Sequence, residues 1–235
     1  MSRSLNYDIP GTDWRRSSTD LDVDDAVAVF GPELPRPERL VVEIGFGRGE
    51  FLLMIAPDHP DTAFLGVEIS FKRVLKMARK LARTELENVR ILEARGEAVI
   101  GELLPKSSVD EVWINFSDPW PKDRHAGRRV IQPAFVRAVA EVLKPGGVFH
   151  VATDDVPYAE QIDAVLRGEP ALLNLHAPSG WADEVEGRPM TGYEEDWRAA
   201  GRPLHFFDYA RPVERPRRVE RPRRVERPRP LEGRP

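Results

Sequence analysis

Residues 40–52 read LVVEIGFGRGEFL, and this stretch decides the fold. Leu40-Val41-Val42-Glu43-Ile44 is a short apolar run that ends in glycines at alternate positions, Gly45, Gly47 and Gly49. A short apolar run bounded by glycine reads as a buried strand. Glycine at a strand-to-helix turn lets the backbone turn tightly and come close to a ligand. A helix follows over residues 50–56 and is closed by Pro57. The same alternation continues outward from there. Strands are predicted over 64–69, 89–92, 112–116 and 148–153, with weaker ones over 171–175 and 205–209. Helices are predicted over 71–87, 97–104, 132–143 and 156–167. Ser70 is placed to cap the first of these, in which Phe71, Val74, Leu75, Ala78, Leu81 and Ala82 share one face. Alternation at this spacing predicts an α/β fold, a mostly parallel seven-stranded sheet with helices on both faces.

In such sheets ligands bind beyond the carboxyl ends of the strands, where the strand order reverses. Glu43 with its glycines, Glu68, Glu97, Asp118 and Asp154 all stand at or just after a strand end, forming one acidic rim. A glycine turn of this kind can serve a nicotinamide dinucleotide, or do no more than pack a helix on a strand. Two features favour another ligand. The spacing is GxGxG with a carboxylate two residues ahead, and Glu68 ends the next strand, where it can accept both hydroxyls of a ribose. Charge decides between the ligands. A dinucleotide carries a pyrophosphate, which an acidic rim repels. S-adenosylmethionine is net positive, and the rim attracts it.

The fourth strand runs into Asn115-Phe116-Ser117-Asp118-Pro119-Trp120-Pro121-Lys122. A polar residue, a proline and an aromatic in succession can grip an N–H, fix the chain and offer a stacking face to a base. The alternative is a rigid loop that caps the sheet. Lys122, Arg124, His125, Arg128 and Arg129 follow directly and could meet phosphates, although a charge run is also how a solvated loop reads. Lys72, Arg73, Lys76, Arg79, Lys80 and Arg83, mostly opposite the apolar face of their helix, allow the same two readings.

These elements together resemble the bacterial tRNA (guanine-N7-)-methyltransferase family over roughly residues 38–210. The matching segments are EIGFGRGEFL at 43–52, GVEIS at 66–70, NVRIL at 88–92, NFSDPWPKDRHAGRR at 115–129, GGVFHVATDD at 146–155 and TGYEEDW at 191–197. The resemblance implies a Rossmann-like class I methyltransferase that transfers the methyl group of S-adenosylmethionine to N7 of a guanosine in the tRNA variable loop, leaving S-adenosylhomocysteine. It implies that Glu43, Gly45, Gly47, Glu68, Glu97 and Asp118 bind the donor, with Asp118 also catalytic. Lys122, Asp154, Thr191, Gly192, Tyr193 and Glu194 then bind substrate, and Arg124, Arg128 and Arg129 contact RNA phosphates. Glu97 departs from the Asp or Asn commoner at its position in the family.

The 235 residues are 41% apolar and 31% charged, ordinary for a globular protein. Domain limits are expected at 1–38 (an irregular segment), 39–210 (the methyltransferase domain) and 211–235 (a disordered basic arm). The arm holds ten Arg and four Glu, and repeats VERPRR at 213–218 and 219–224 and VERPRP at 225–230. A proline every six residues forbids helix there. With that arm set aside, the net charge of −4 becomes −10 over the rest, so nucleic-acid contact must come from local patches. Cysteine is absent, which excludes disulfides and cysteine-dependent pyrimidine C5 methylation. The five histidines lack ligand spacing, so no metal is expected. No apolar stretch reaches membrane-span length and no secretory signal is legible, so a cytoplasmic protein is expected, with tRNA as partner and either a monomer or a homodimer allowed. A non-catalytic RNA-binding protein that uses the basic arm, and a methyltransferase acting on a small molecule or an adenine amino group, are the competing readings.

Overall fold

The computed structural model describes residues 7–34 and 37–213. Eight strands form one sheet in the order β1-β4-β3-β2-β5-β6-β8-β7. They are β1 (Arg15–Arg16), β2 (Arg39–Ile44), β3 (Thr62–Glu68), β4 (Val89–Glu93), β5 (Val109–Asn115), β6 (Leu143–Thr153), β7 (Leu173–Asn174) and β8 (His205–Ala210). The first six run parallel; β8 is antiparallel to β6, and β7 to β8. All seven predicted strands are present. The eighth, β1, is a correction: it pairs with β4 from within the segment expected to be irregular. Two residues carry too little pattern to announce a strand.

The order reverses at β2, which has β3 on one side and β5 on the other. The loop after β2 and the loop after β5 therefore leave the sheet side by side, and a crevice opens between them. The register across this point sets Glu43 opposite Gly66 on β3 and Trp113 on β5.

Both faces are covered. Leu40, Val42, Ile44, Val112, Ile114, Phe149 and Val151 point to one face and pack with α4 (Pro133–Val142) and α5 (Val156–Arg167). Val41, Phe64, Ile91 and Trp113 point to the other and pack with α1 (Glu50–Ile55) and α2 (Phe71–Leu81). β3 is buried along its whole length, as expected for a central parallel strand. Gly66 within it is required by packing. A Cβ there would sit 2.7 Å from Leu52 and 2.9 Å from Phe46, so a side chain would push α1 off the sheet.

α2 buries Val74, Leu75, Met77, Ala78 and Leu81, each large one contributing roughly 1.5–3 kcal/mol. It ends at Leu81, six residues short of its expected end, where Thr84 Oγ1 donates to the Leu81 carbonyl. The helix expected over 97–104 is α3 (Gly96–Ala98) followed by one π-helical turn, Val99–Leu103. α5 has its expected limits because its start signals are strong: Asp155 caps it by accepting the Tyr158 N–H at 2.9 Å, with Pro157 in the first turn. α6 (Gly192–Ala199) was not expected from the sequence.

The amino-terminal segment is tied to the body by Arg90. Its guanidinium is fully buried, lies 4.2 Å from the Trp14 ring, and donates to the carbonyls of Phe30 and Glu87. Burial pulls its pKa down to about 10. Trp14, Leu21, Val29 and Phe30 are buried with it, so residues 14–30 complete the core. The repeats of the predicted basic arm, residues 214–235, lie outside the described residues. No helix among the described residues is long and apolar enough to cross a membrane.

Candidate active site

The turn after β2 needs its glycines. Gly45, Gly47 and Gly49 have φ of 76°, 55° and 71°, a region that a side chain disfavours. Gly49 has a second reason, since a Cβ there would overlap Met77 Sδ at 2.1 Å. Gly45 borders open space: a Cβ would meet nothing within 4 Å. The loop therefore packs against α2 on one side and presents bare backbone to the crevice on the other.

Glu68, at the end of β3, holds this loop. Its buried carboxylate accepts from the N–H of Gly47 at 3.1 Å and of Ser70 at 2.9 Å, and Arg73 reaches it at 3.4 Å. Glu43 lies deeper. One oxygen accepts from Asn115 Nδ2 at 3.1 Å; the other, Oε2, is buried and has no partner. Burial pushes its pKa up to about 7, against the opposing pull of the Asn115 hydrogen bond and the Arg188 charge. Glu97 does not join this pair at close range. It is exposed and lies 3.7 Å from Arg95.

Asp118 is exposed at the crevice mouth and accepts the Trp120 N–H at 3.1 Å. Its loop is strained, with Phe116 at φ 51° and Trp120 at φ 42°. Arg129 holds it in that shape. Arg129 donates to the Pro119 carbonyl at 2.7 Å, to the Trp120 carbonyl at 3.5 Å and to Gln161 of α5, with its guanidinium over the Tyr158 ring. This corrects the expectation that Arg129 meets phosphate: it is buried and its donors are engaged. Lys122, Arg124 and Arg128 remain exposed, and Arg128 stacks over Trp120 at 4.9 Å.

Asp154 follows β6 and is mostly buried. Its Oδ2 accepts from Arg202 at 3.3 Å and from the Tyr193 hydroxyl at 3.5 Å. Tyr193 is half-exposed and packs against Phe116 with ring centroids 5.1 Å apart. The Thr191–Glu194 segment is the start of α6, with Thr191 Oγ1 accepting the Glu194 N–H at 3.4 Å. Gly192 lies beside Glu50 of α1, so this segment returns to the glycine loop. Glu194 is buried and accepts from Arg198 at 3.1 Å. The sequence carried a signal for α6: Thr191-Gly192-Tyr193-Glu194 has the capping pattern of a helix start.

A cleft of about 280 Å³ lies elsewhere, under residues 185–189 and lined by Val41, Phe51, Trp113, His150 and Asp208. Several of its polar groups pair with one another. Trp113 Nε1 donates to Glu111 at 2.7 Å, and Asp208 pairs with His150 at 2.5 Å and His176 at 2.6 Å. No ligand is called for there. No cluster of potential metal ligands occurs among the described residues.

The crevice fits a net-positive nucleoside. It has bare glycine backbone at Gly45, an orphaned carboxylate oxygen on Glu43, a second buried acid at Glu68 and an exposed one at Asp118. Comparison with known proteins agrees with this chemistry. A family model described as "Putative methyltransferase" matches residues 37–207. A tRNA (guanine-N(7)-)-methyltransferase of Leifsonia xyli subsp. xyli is 38% identical over 86% of this chain and 85% of its own length. One from Arthrobacter sp. is 44% identical over 80% of this chain and 72% of its own, and one from Dechloromonas aromatica is 42% identical over 72% and 67%. Among solved structures, the aminoglycoside resistance methyltransferase NpmB1 superposes with a TM-score of 0.55 at 17% identity, covering 76% of this chain and 90% of its own. The 16S rRNA methyltransferase KamB does so with 0.54 at 17%, covering 80% and 95%. These two likenesses establish the class I methyltransferase fold.

Proposed function

Because the chain belongs to the tRNA (guanine-N(7)-)-methyltransferase family, we propose that its crevice binds S-adenosylmethionine and sets Asp118 beside the guanine that receives the methyl group. One observation carries this reading. Tyr193 packs on Phe116, two residues before Asp118, and its hydroxyl reaches Asp154, so the three substrate segments expected from the sequence converge at the crevice mouth.

The bound donor supplies a methyl group on a sulfonium, ready for displacement. Glu43 and Glu68 would hold it, Glu68 through the ribose hydroxyls and the free oxygen of Glu43 through the ammonium. Guanine N7 carries an in-plane lone pair and no proton, so its attack needs no general base. The work of the site is alignment. The product ring is cationic, and the Asp118 carboxylate stabilises that developing charge. Asp154 accepts from the N1–H and amino group on the far edge of the base. Adenine lacks that donor pattern and would leave Asp154 with only Arg202 and Tyr193 as donors. The Tyr193 and Phe116 rings pack on each other and offer an aromatic face beside the place where an unstacked base would lie. Lys122, Arg124 and Arg128 meet the displaced RNA backbone. On this reading the protein works on tRNA in the cytoplasm.

The test is transfer from methyl-labelled donor to unmodified tRNA, followed by nucleoside analysis. Labelled 7-methylguanosine is expected. Label in another nucleoside, or none in RNA with full donor binding, overturns the reading.

A further inference from the structure

The element that joins the two halves of the crevice is Arg188, in the loop between β7 and α6. Its side chain is 5% exposed and lies between two aromatic faces, 4.9 Å from Trp113 and 4.8 Å from Phe206. A guanidinium taken out of water at this depth costs several kcal/mol unless its charge and donors are met. Its charge is met on two sides, while Nε has no hydrogen-bond acceptor. One terminal nitrogen donates to Asn115 Oδ1, and Nε lies 3.9 Å from Glu194 Oε2.

The Asn115 contact has a consequence for the donor site. An amide has one accepting end and one donating end. Arg188 has only donors, so it takes the oxygen, and the nitrogen must turn to Glu43. That leaves Glu43 Oε2 as the free oxygen. With a neutral residue at 188, only Glu43 would hold the Asn115 amide, and once protonated Glu43 could donate to its oxygen instead of accepting from its nitrogen. On the other side, Glu194 fills the space between Arg188 and Arg198, which secures the first turn of α6 and with it Thr191 and Tyr193.

We propose that Arg188 is a positioning residue that orients Asn115 toward Glu43 and anchors the start of α6 through Glu194, joining the donor side of the crevice to the substrate side. This rests on the reading of the crevice as an S-adenosylmethionine site. Arg188 touches neither donor nor guanine; it acts through Asn115 and Glu194.

The experiment measures S-adenosylhomocysteine affinity by calorimetry for the wild type, Arg188→Met, Arg188→Lys, Asn115→Leu and the double variant Arg188→Met/Asn115→Leu, with thermal melts confirming the fold. Arg188→Met and Asn115→Leu are each expected to weaken binding about tenfold, and the double variant no more than either, because both break one chain of contacts. Arg188→Lys keeps the charge beside Glu194 but lacks the planar fork, and should fall between. It carries the test with Asn115→Leu if Arg188→Met fails to fold. Tyr193 fluorescence is no guide among five tryptophans, so amide exchange at 191–194 reads the second arm and should quicken in both Arg188 variants but not in Asn115→Leu. Affinity within about twofold of wild type in Arg188→Met, or losses that multiply to about a hundredfold in the double variant, overturn the proposal. If the wild type itself binds no S-adenosylhomocysteine, the donor reading fails first and this one falls with it.

Discussion

Arg129 Nε donates to the carbonyl of Pro119 at 2.7 Å, and this contact joins the loop that carries Asp118 to the body of the protein. The guanidinium also engages Gln161 of α5, whose amide in turn donates to Ile131 at 3.1 Å. The loop has positive φ at Phe116 and Trp120, a shape that persists only when its surroundings impose it. Arg129→Ala is therefore expected to lower methyl-transfer turnover by about 10- to 100-fold, the scale of a misplacement of about 1 Å at a reacting group. Donor affinity should hold, because no residue of the donor pair touches Arg129. The salt dependence of tRNA binding separates this from a phosphate contact: loss of a phosphate contact reduces the slope of log affinity against log salt by about 1. An unchanged slope with reduced turnover is the expected result.

Asp118 acts through its charge, and two variants isolate that charge. Asp118→Asn keeps an oxygen for the Trp120 N–H, so the loop should survive. Asp118→Ala removes both the charge and the turn contact. If the carboxylate stabilises the cationic ring, both variants should lose about 10²- to 10³-fold in turnover with little change in melting temperature. Activity of Asp118→Asn within about threefold of wild type would assign Asp118 to loop structure alone.

The two arginines show where sequence reasoning stops. β2, β3, β4, β5 and α5 are legible because apolar runs and caps are local signals. The Gly45–Gly49 turn is legible because φ above zero selects glycine. Arg129 and Arg188 are not, because nothing in GRRVI or EGRPM distinguishes an arginine stacked on an aromatic core from one in water. Their burial is decided by Tyr158, Trp113 and Phe206, which are distant in the chain. Of the two arginines on Glu194, Arg198 lies four residues on, at helical spacing, and is legible, whereas Arg188 lies six residues before it, outside helical spacing. The end of α2 is not legible because no glycine or proline follows Leu81 to mark it. The start of β6 is not legible because Pro145-Gly146-Gly147 looks like a stop, yet these residues lie within the strand from Leu143.

Glu68 has two duties, and its removal should show both. It accepts the Gly47 N–H of the glycine turn and the Ser70 N–H at the start of α2, and on the proposed reading it also binds the donor's ribose. Glu68→Ala is expected to weaken S-adenosylhomocysteine by at least about tenfold, and to destabilise the fold by roughly 1–3 kcal/mol as buried N–H groups lose their acceptor. Calorimetry and a denaturant melt on the same sample measure both. Unchanged affinity with a lowered melt would leave Glu68 as a structural acid only.

Glu43 makes a prediction in pH. Its pKa stands at about 7 in the folded chain against 4.5 for an ordinary glutamate, with burial as the main cause. Between those values the folded state holds a proton that the unfolded state has lost, so stability falls as pH rises through this window. The full shift corresponds to on the order of 3 kcal/mol. Glu43→Gln carries no such titration, so the stability difference between variant and wild type should grow in favour of the variant from about pH 5 to about pH 8. Donor binding has the opposite sign. A cationic donor favours the carboxylate, so S-adenosylmethionine affinity in the wild type should rise as pH increases through about 7 and level off above it. Binding below that pH should release a proton, visible as a dependence of calorimetric heat on the buffer's ionisation enthalpy. Glu43→Gln should abolish both the rise and the proton release. If the variant keeps the wild-type pH profile, the titrating group is another residue, and Glu43 is not in contact with the charged end of the donor.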